Sequence, residues 1–281
     1  MIDLGPFPQV EGVPVDGIVG YEVFRRFGVR IDYAEGELTL SEPARFTPPA
    51  AATVLPFTLN ERIPVVDGKV DGKPVRLVVD TGSRASLSFH SPFVREHDLV
   101  RRLEAAPEAV GGWGVGGPSY TRAARLGKLE LGNLAIGNVA ADLFTGDKGA
   151  FASPDAGGNL GGGVLRRFTV SFDYEHKRMY LEPNAHFAEP ENFDRSGLWL
   201  LADGAALKIA AVAPQSAAER AGLKADQRIA RIAGEDVSRR TLAGWHDYLR
   251  TTPAGMTVTL VFADGKETPI VLADRIPARA H

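Results

Sequence analysis

The chain is predicted to be mainly β and to have two parts, on three observations. Short runs alternate apolar and polar residues and close on Gly or Asn turns, as in Leu126–Leu134. A hairpin-like unit occurs twice at a fixed spacing. After Pro183 the composition turns polar, and a second pattern of strands and two helical segments begins.

The 281 residues are 44% hydrophobic and 24% charged, which suits a globular chain of about two domains. A net charge of −3 gives no electrostatic case for nucleic acid or an anionic membrane. There are no cysteines, so thiol catalysis, thiolate metal sites and disulfides are excluded. No apolar run approaches the ~18 residues that span a bilayer. Met1-Ile2-Asp3-Leu4-Gly5-Pro6 lacks the features of a signal peptide.

The repeat comes first in chain order. Arg25-Arg26-Phe27-Gly28-Val29-Arg30-Ile31-Asp32-Tyr33 returns as Arg166-Arg167-Phe168-Thr169-Val170-Ser171-Phe172-Asp173-Tyr174, an offset of 141 residues. Ile18-Val19-Gly20 lies over Asn159-Leu160-Gly161, and Leu38-Thr39-Leu40 over Met179-Tyr180-Leu181. Each copy reads as an apolar-apolar-Gly turn, a short helix and a hairpin. Asp32 and Asp173 take equivalent hairpin positions and read as structural.

Between the copies, the apolar strand Val75–Val79 runs into Asp80-Thr81-Gly82-Ser83. This places a carboxylate in a tight turn, where Gly82 lets a second backbone approach. The Thr81 and Ser83 hydroxyls are suited to hold its charged form. The glycine-rich runs Val110–Pro118 and Gly157–Gly163 lack the Gly-Lys-Ser/Thr of a phosphate cradle. Leu126–Leu134 is a β-hairpin with a Gly-Asn turn. The six histidines never take a metal-ligand spacing, and Ser83, Ser86 and Ser88 lack a nucleophile elbow. No metal and no cofactor are expected.

In the C-terminal part, Leu207–Val212 is a strand and Ser216–Leu223 a short helix stopped at Gly222. Asp226–Glu235 gives a strand and turn, Thr241–Arg250 an amphipathic helix, and Met256–Phe262 with Thr268–Leu272 a closing hairpin.

Residues 54–183 resemble a lobe of the pepsin–retropepsin clan. They follow its order of a strand into Asp-Thr-Gly, a later apolar-apolar-Gly segment, a helix and a Phe-x-Val hairpin. The likeness is greatest to bacterial aspartyl proteases that carry a PDZ domain. Residues 16–40 match only the last third of such a lobe. Ser216–Gln227 resembles the bacterial PDZ motif Ser-Pro-Ala-x-x-Ala-Gly-Leu-x-x-Gly-Asp, with the proline and the Gly-Asp pair replaced. The resemblance implies a retropepsin-like (acid protease) β-barrel lobe plus the remnant of a first lobe, then an α+β PDZ domain. The expected boundaries are 1–46 for the remnant, 47–185 for the complete lobe, 186–195 for a linker and 196–275 for the PDZ domain.

The same resemblance assigns roles. Asp80, Thr81, Gly82 and Ser83 form the catalytic turn, and Gly112, Trp113 and Gly114 the tip of a flap over substrate. Gly197-Leu198-Trp199-Leu200 is the carboxylate-binding loop of the PDZ domain, its backbone N–H groups holding a peptide C-terminus. Leu242 and Trp245, with Leu249, line the peptide groove or the core. Aspartic proteolysis needs two carboxylates sharing a proton. The repeat offset puts the counterpart of Asp80 before Met1, so the expectation is a fragment or processed form of a two-lobed protein. A homodimer pairing Asp80 with Asp80 is the other route. The implied function is an aspartic endopeptidase acting on polypeptides. The alternative is a non-catalytic module that holds peptides or proteins. The family setting is periplasmic or cell-envelope.

Overall fold

The computed structural model describes residues 5, 7–114 and 116–276. Met1–Leu4 and Pro6 of the N-terminal stretch, and Val115 of the glycine-rich run, lie outside the described residues. The protein is mainly β. Two compact units emerge, and they cut the chain differently from the expected domains. One comprises residues 18–105 and 124–191; the other gathers 1–17, 106–123 and 192–277.

In chain order the elements begin with α1 (Phe7–Glu11), α2 (Tyr21–Phe24), β1 (Gly28–Asp32) and β2 (Glu37–Ser41). Next come β3 (Thr53–Asn60), β4 (Ile63–Val70), β5 (Lys73–Asp80) and β6 (Leu87–Phe89). Then follow α3 (Ser91–Glu96), α4 (Leu99–Arg102), β7 (Ala109–Gly114), β8 (Gly117–Leu131) and β9 (Leu134–Leu143). The next elements are β10 (Gly158–Gly161), α5 (Gly162–Leu165), β11 (Phe168–Asp173) and β12 (Arg178–Pro183).

The unit built on residues 18–105 and 124–191 has strand order β2-β1-β11-β12-β3-β4-β5-β10-β6-β9-β8. A further antiparallel pairing of β4 with β8, Lys69 opposite Glu130, closes the run β4-β5-β10-β6-β9-β8 into a barrel. Closure leaves those strands without an open edge. The alternation of β5 turns Val75, Leu77 and Val79 inward. They join Leu87, Phe89, Leu129, Leu160 and Phe168 in one core. The predicted Gly-Asn turn is present between β8 and β9, with Gly132 at φ +59°.

The two repeat copies pair directly. β1 runs antiparallel to β11, with Gly28 opposite Asp173, Arg30 opposite Ser171 and Asp32 opposite Thr169. Arg30 and Ser171 are each other's counterparts at the 141-residue offset, so a local two-fold axis passes between them. Both hairpins keep the same internal register: Gly28 faces Ser41, and Thr169 faces Glu182. Their turns are also alike. The Asp32 carboxylate accepts from the N–H groups of Ala34 and Glu35, and that of Asp173 from His176. Both aspartates are structural, as expected.

Beyond the strand pairing the symmetry stops. β12 is followed in the sheet by β3, whereas β2 ends it. Leu38 and Leu40 are 54% and 42% exposed, while their counterparts Met179 and Leu181 are fully buried. Val19 is 63% exposed and its counterpart Leu160 is fully buried.

The other unit contains β7 and the start of β8, then β13 (Leu198–Asp203), β14 (Ala206–Val212), α6 (Ala217–Arg220), β15 (Arg228–Ile232), β16 (Glu235–Asp236), α7 (Leu242–Thr251), β17 (Thr257–Phe262) and β18 (Glu267–Val271). Its main sheet has the order β13-β14-β15-β17-β18. α6 opens on Ser216, whose side chain accepts from the Glu219 N–H. α7 opens on Thr241 in the same way and places Leu242, Trp245 and Leu249 on the core face.

Candidate active site and peptide groove

Asp80 ends β5 and is half-buried. The N–H of Gly82 donates to its Oδ1 at 3.1 Å, and the N–H of Ser83 to its carbonyl at 3.3 Å. Sequence pointed to the hydroxyls of Thr81 and Ser83 as partners of the carboxylate; the donor the structure shows is this main-chain N–H. The Ser83 hydroxyl accepts from the N–H of Ala85 at 3.3 Å, which tightens the loop after the triplet.

That loop wraps around the second glycine run. Gly161 sits opposite Asp80 in the parallel pairing of β10 with β5. The N–H groups of Gly161, Gly162 and Gly163 donate to the carbonyls of Ser86, Ser83 and Ala85 at 3.0, 2.7 and 3.1 Å. Side chains would not fit: a Cβ on Gly161 would fall 2.3 Å from the Ala85 oxygen, and one on Gly163 2.1 Å from Ser86 Oγ. The glycines are therefore required by close approach rather than by φ. The carboxylate is thus carried on an inter-strand clamp, not on a free loop.

Two groups that sequence reasoning missed bear on this turn. Tyr33, from the β1–β2 turn, has its phenol pushed up to about 12 by burial and then by the charge of Asp80. Its hydroxyl is buried and has no hydrogen-bond partner among the described residues. Its place in the repeated Asp-Tyr pair was the available signal. Glu191 lies in the stretch expected to be a linker, yet it is buried. Its carboxylate accepts from Ser86 Oγ and from the N–H of Ala140, and it lies 3.6 Å from Arg167 Nη2. Burial pushes the carboxyl up to about 7 against the pull of Arg167 and Arg125. A lone glutamate in a polar run gave no signal.

Gly112, Trp113 and Gly114 lie in β7, which forms an antiparallel hairpin with β8, Gly114 opposite Gly117. The Trp113 ring stacks on that of Trp199 in β13, centroids 6.4 Å apart at 24°.

The expected peptide groove needs correction. The N–H of Gly197 donates to Asp194 Oδ1 at 2.6 Å and that of Leu198 to Ser196 Oγ at 3.1 Å. Two donors assigned to a peptide carboxylate are thus engaged within the loop, because Asp194 and Ser196 precede it at Asx-turn spacing. Trp245 is fully buried, and its indole N–H donates to the Val237 carbonyl at 2.8 Å. It is a core residue rather than a groove wall. Leu198 and Leu200 also point into the core, which leaves Trp199 on the outer side. Leu242 is buried too, and Gly12 lies against it, an added Cβ there falling 2.6 Å from Leu242 Cβ. α1 packs on β13, with Val10 only 2% exposed. Residues 7–12 therefore lie along β13 and the start of α7, over the groove expected from the sequence.

Among the described residues, no group of three or more His, Cys, Asp or Glu side chains could hold a metal ion, and no helix is long and apolar enough to cross a membrane. His90 bridges Ser153 O and Asn159 Oδ1 and is structural.

Residues 66–165 match the aspartyl protease family model. Residues 208–264 match the PDZ domain model. The chain thus carries a stretch similar to aspartyl proteases, followed by one similar to PDZ domains. Among solved structures it is similar to a retropepsin-like aspartic protease from Rickettsia conorii, at 14% identity and a TM-score of 0.34, over 47% of this chain and 89% of that one. It is also similar to basic 7S globulin from soybean, at 13% identity and a TM-score of 0.34, over 60% and 53% of the two chains. No curated protein matches.

Proposed function

We propose that this chain is the Asp80-bearing part of an aspartic endopeptidase that cleaves polypeptides. One observation carries this: the Asp80-Thr81-Gly82 turn clamped on Gly161–Gly163. The Asp80 carboxylate acts as general base on a water that attacks the scissile carbonyl. A partner aspartate supplies the shared proton and, with Asp80, passes it to the leaving amine. The partner comes from a first lobe or from a second copy of this chain. Support for a partner is the apolar surface of Val19, Leu38 and Leu40, whose repeat counterparts are buried. The PDZ domain takes an extended peptide along β13 once residues 7–12 withdraw. The proposed setting is the periplasm or cell envelope.

The test is cleavage of a denatured polypeptide by the chain, alone and with the partner lobe supplied, from about pH 3 to pH 8. Activity with an acid optimum that is abolished in Asp80→Asn is expected. Cleavage that survives Asp80→Asn, or that chelators stop, overturns the assignment. A second function, a non-catalytic polypeptide holder, draws on the single Asp-Thr-Gly in the sequence. It is favoured if binding of the denatured polypeptide persists with no turnover in either format.

A further inference from the structure

We propose that Glu191 is a positioning residue for Asp80, acting through Ser86 and the Gly161–Gly163 clamp. This rests on the role given to Asp80 above. The path is continuous. Ser86 Oγ donates to the Glu191 carboxylate, and the Ser86 carbonyl accepts from the N–H of Gly161 at 3.0 Å. Gly161 lies opposite Asp80 across β10 and β5. Gly163 is packed so closely on Ser86 that no Cβ fits between them, so a shift of Ser86 is carried into the clamp.

Glu191 is itself held from several sides. The Ala140 N–H donates to its Oε2 at 3.1 Å. Arg125 Nη1 donates to its main-chain carbonyl at 2.9 Å and to that of Asn138 at 2.6 Å. The charged groups that face the carboxyl are Arg167, Arg125 and Arg166, all cationic. The Arg167 and Glu191 side chains are 4% and 7% exposed. With its carboxyl pushed up to about 7 by burial, Glu191 changes charge near neutral pH. Neutral, it is a weak partner for Arg167. Charged, it draws both Arg167 and the Ser86 hydroxyl, and the Asp80 loop moves with Ser86. A residue at the end of the polar run thus sets the loop that carries the proposed catalytic carboxylate.

The test follows the Gly82 amide resonance of the full chain against pH, because that N–H donates to Asp80 Oδ1. The wild-type amide is expected to show a step near pH 7, where Glu191 changes charge. Glu191→Gln keeps size and hydrogen bonding to Ala140, and should remove that step. Ser86→Ala should remove the step from Gly82 while the Glu191 carboxyl carbon still titrates. Ser86→Ala also decides the matter should Glu191→Gln fail to fold. No step near pH 7 in the wild type, or a step that survives either variant, overturns the proposal. The readout needs no turnover. The step near pH 7 with no proteolysis removes the function proposed above and keeps this inference; proteolysis without that step does the reverse.

Discussion

Replacing Glu191 by Gln should flatten the pH dependence of stability in a defined window. The carboxyl ionises at 4.5 in the unfolded chain and at about 7 in the fold. The native state therefore holds the proton more tightly than the unfolded chain. The contribution of this group is fully present below pH 4.5, shrinks as the pH rises, and is lost once the pH passes about 7. Each pH unit inside the window is worth about 1.4 kcal/mol, so the whole amounts to ~3 kcal/mol. Nothing need be discounted for solvent, because the side chain is 7% exposed. The assay is urea unfolding of wild type and Glu191→Gln at a series of pH values, with the difference between them plotted. The wild type should lose ~3 kcal/mol relative to the variant between pH 4.5 and about pH 7, and the difference should level off above. A flat difference, or one that rises with pH, refutes both the effect of burial and its sign.

Three further outcomes are expected. Gly161→Ala drives a methyl to 2.3 Å from the Ala85 carbonyl and should cost about 3 kcal/mol or more, seen as a lower thermal midpoint; an unchanged midpoint contradicts the clamp. In a double-mutant cycle on Trp113→Ala and Trp199→Ala, the stacked rings should show coupling of about 0.5–1.5 kcal/mol; strict additivity would mean that they do not touch in solution. Val10→Asp puts a charge where the side chain is 2% exposed, which should release residues 7–12 and tighten binding of a peptide derived from residues 5–17 supplied in trans, by at least about tenfold in fluorescence anisotropy; equal binding to wild type and variant would show that the segment does not cover the site.

What was legible in the sequence has a common physical origin. The repeat could be read because both hairpins share one edge-to-edge pairing through β1 and β11, so their strand positions and turn aspartates had to stay in register. The Asp-Thr-Gly turn was legible because a strand, a carboxylate and a glycine in succession specify a local geometry. The Gly161–Gly163 run was visible as glycine, but not as a clamp, because the reason for it lies far back along the chain at Ala85 and Ser86. Glu191 was hidden for the same reason: a carboxylate in a polar, Pro-containing stretch looks solvated until Ser86, Ala140 and Arg167 are seen around it. Trp245 shows a different limit. Apolar residues at helical spacing mark a buried face, but they do not say whether a ligand or the protein's own sheet buries it. The hairpin carrying Trp113 was recognisable as a hairpin, while its stacking on Trp199 depends on a strand far along the chain.

The axis between Arg30 and Ser171 bears on how such a protein can arise and be rebuilt. Under this axis the pairings between the hairpins map onto one another, Gly28–Asp173 onto Asp32–Thr169 and Val29–Phe172 onto Ile31–Val170. An identical copy of either hairpin could therefore take the place of the other without moving a single donor or acceptor of that ladder. Two separate identical chains and one fused, diverged chain are interchangeable at this seam. A gene could pass from one form to the other by fusion or fission, and only the side chains would need to be retuned. An engineer could exploit the same seam by joining two copies of residues 53–191, which keeps Glu191 with Ser86, Ala140 and Arg167.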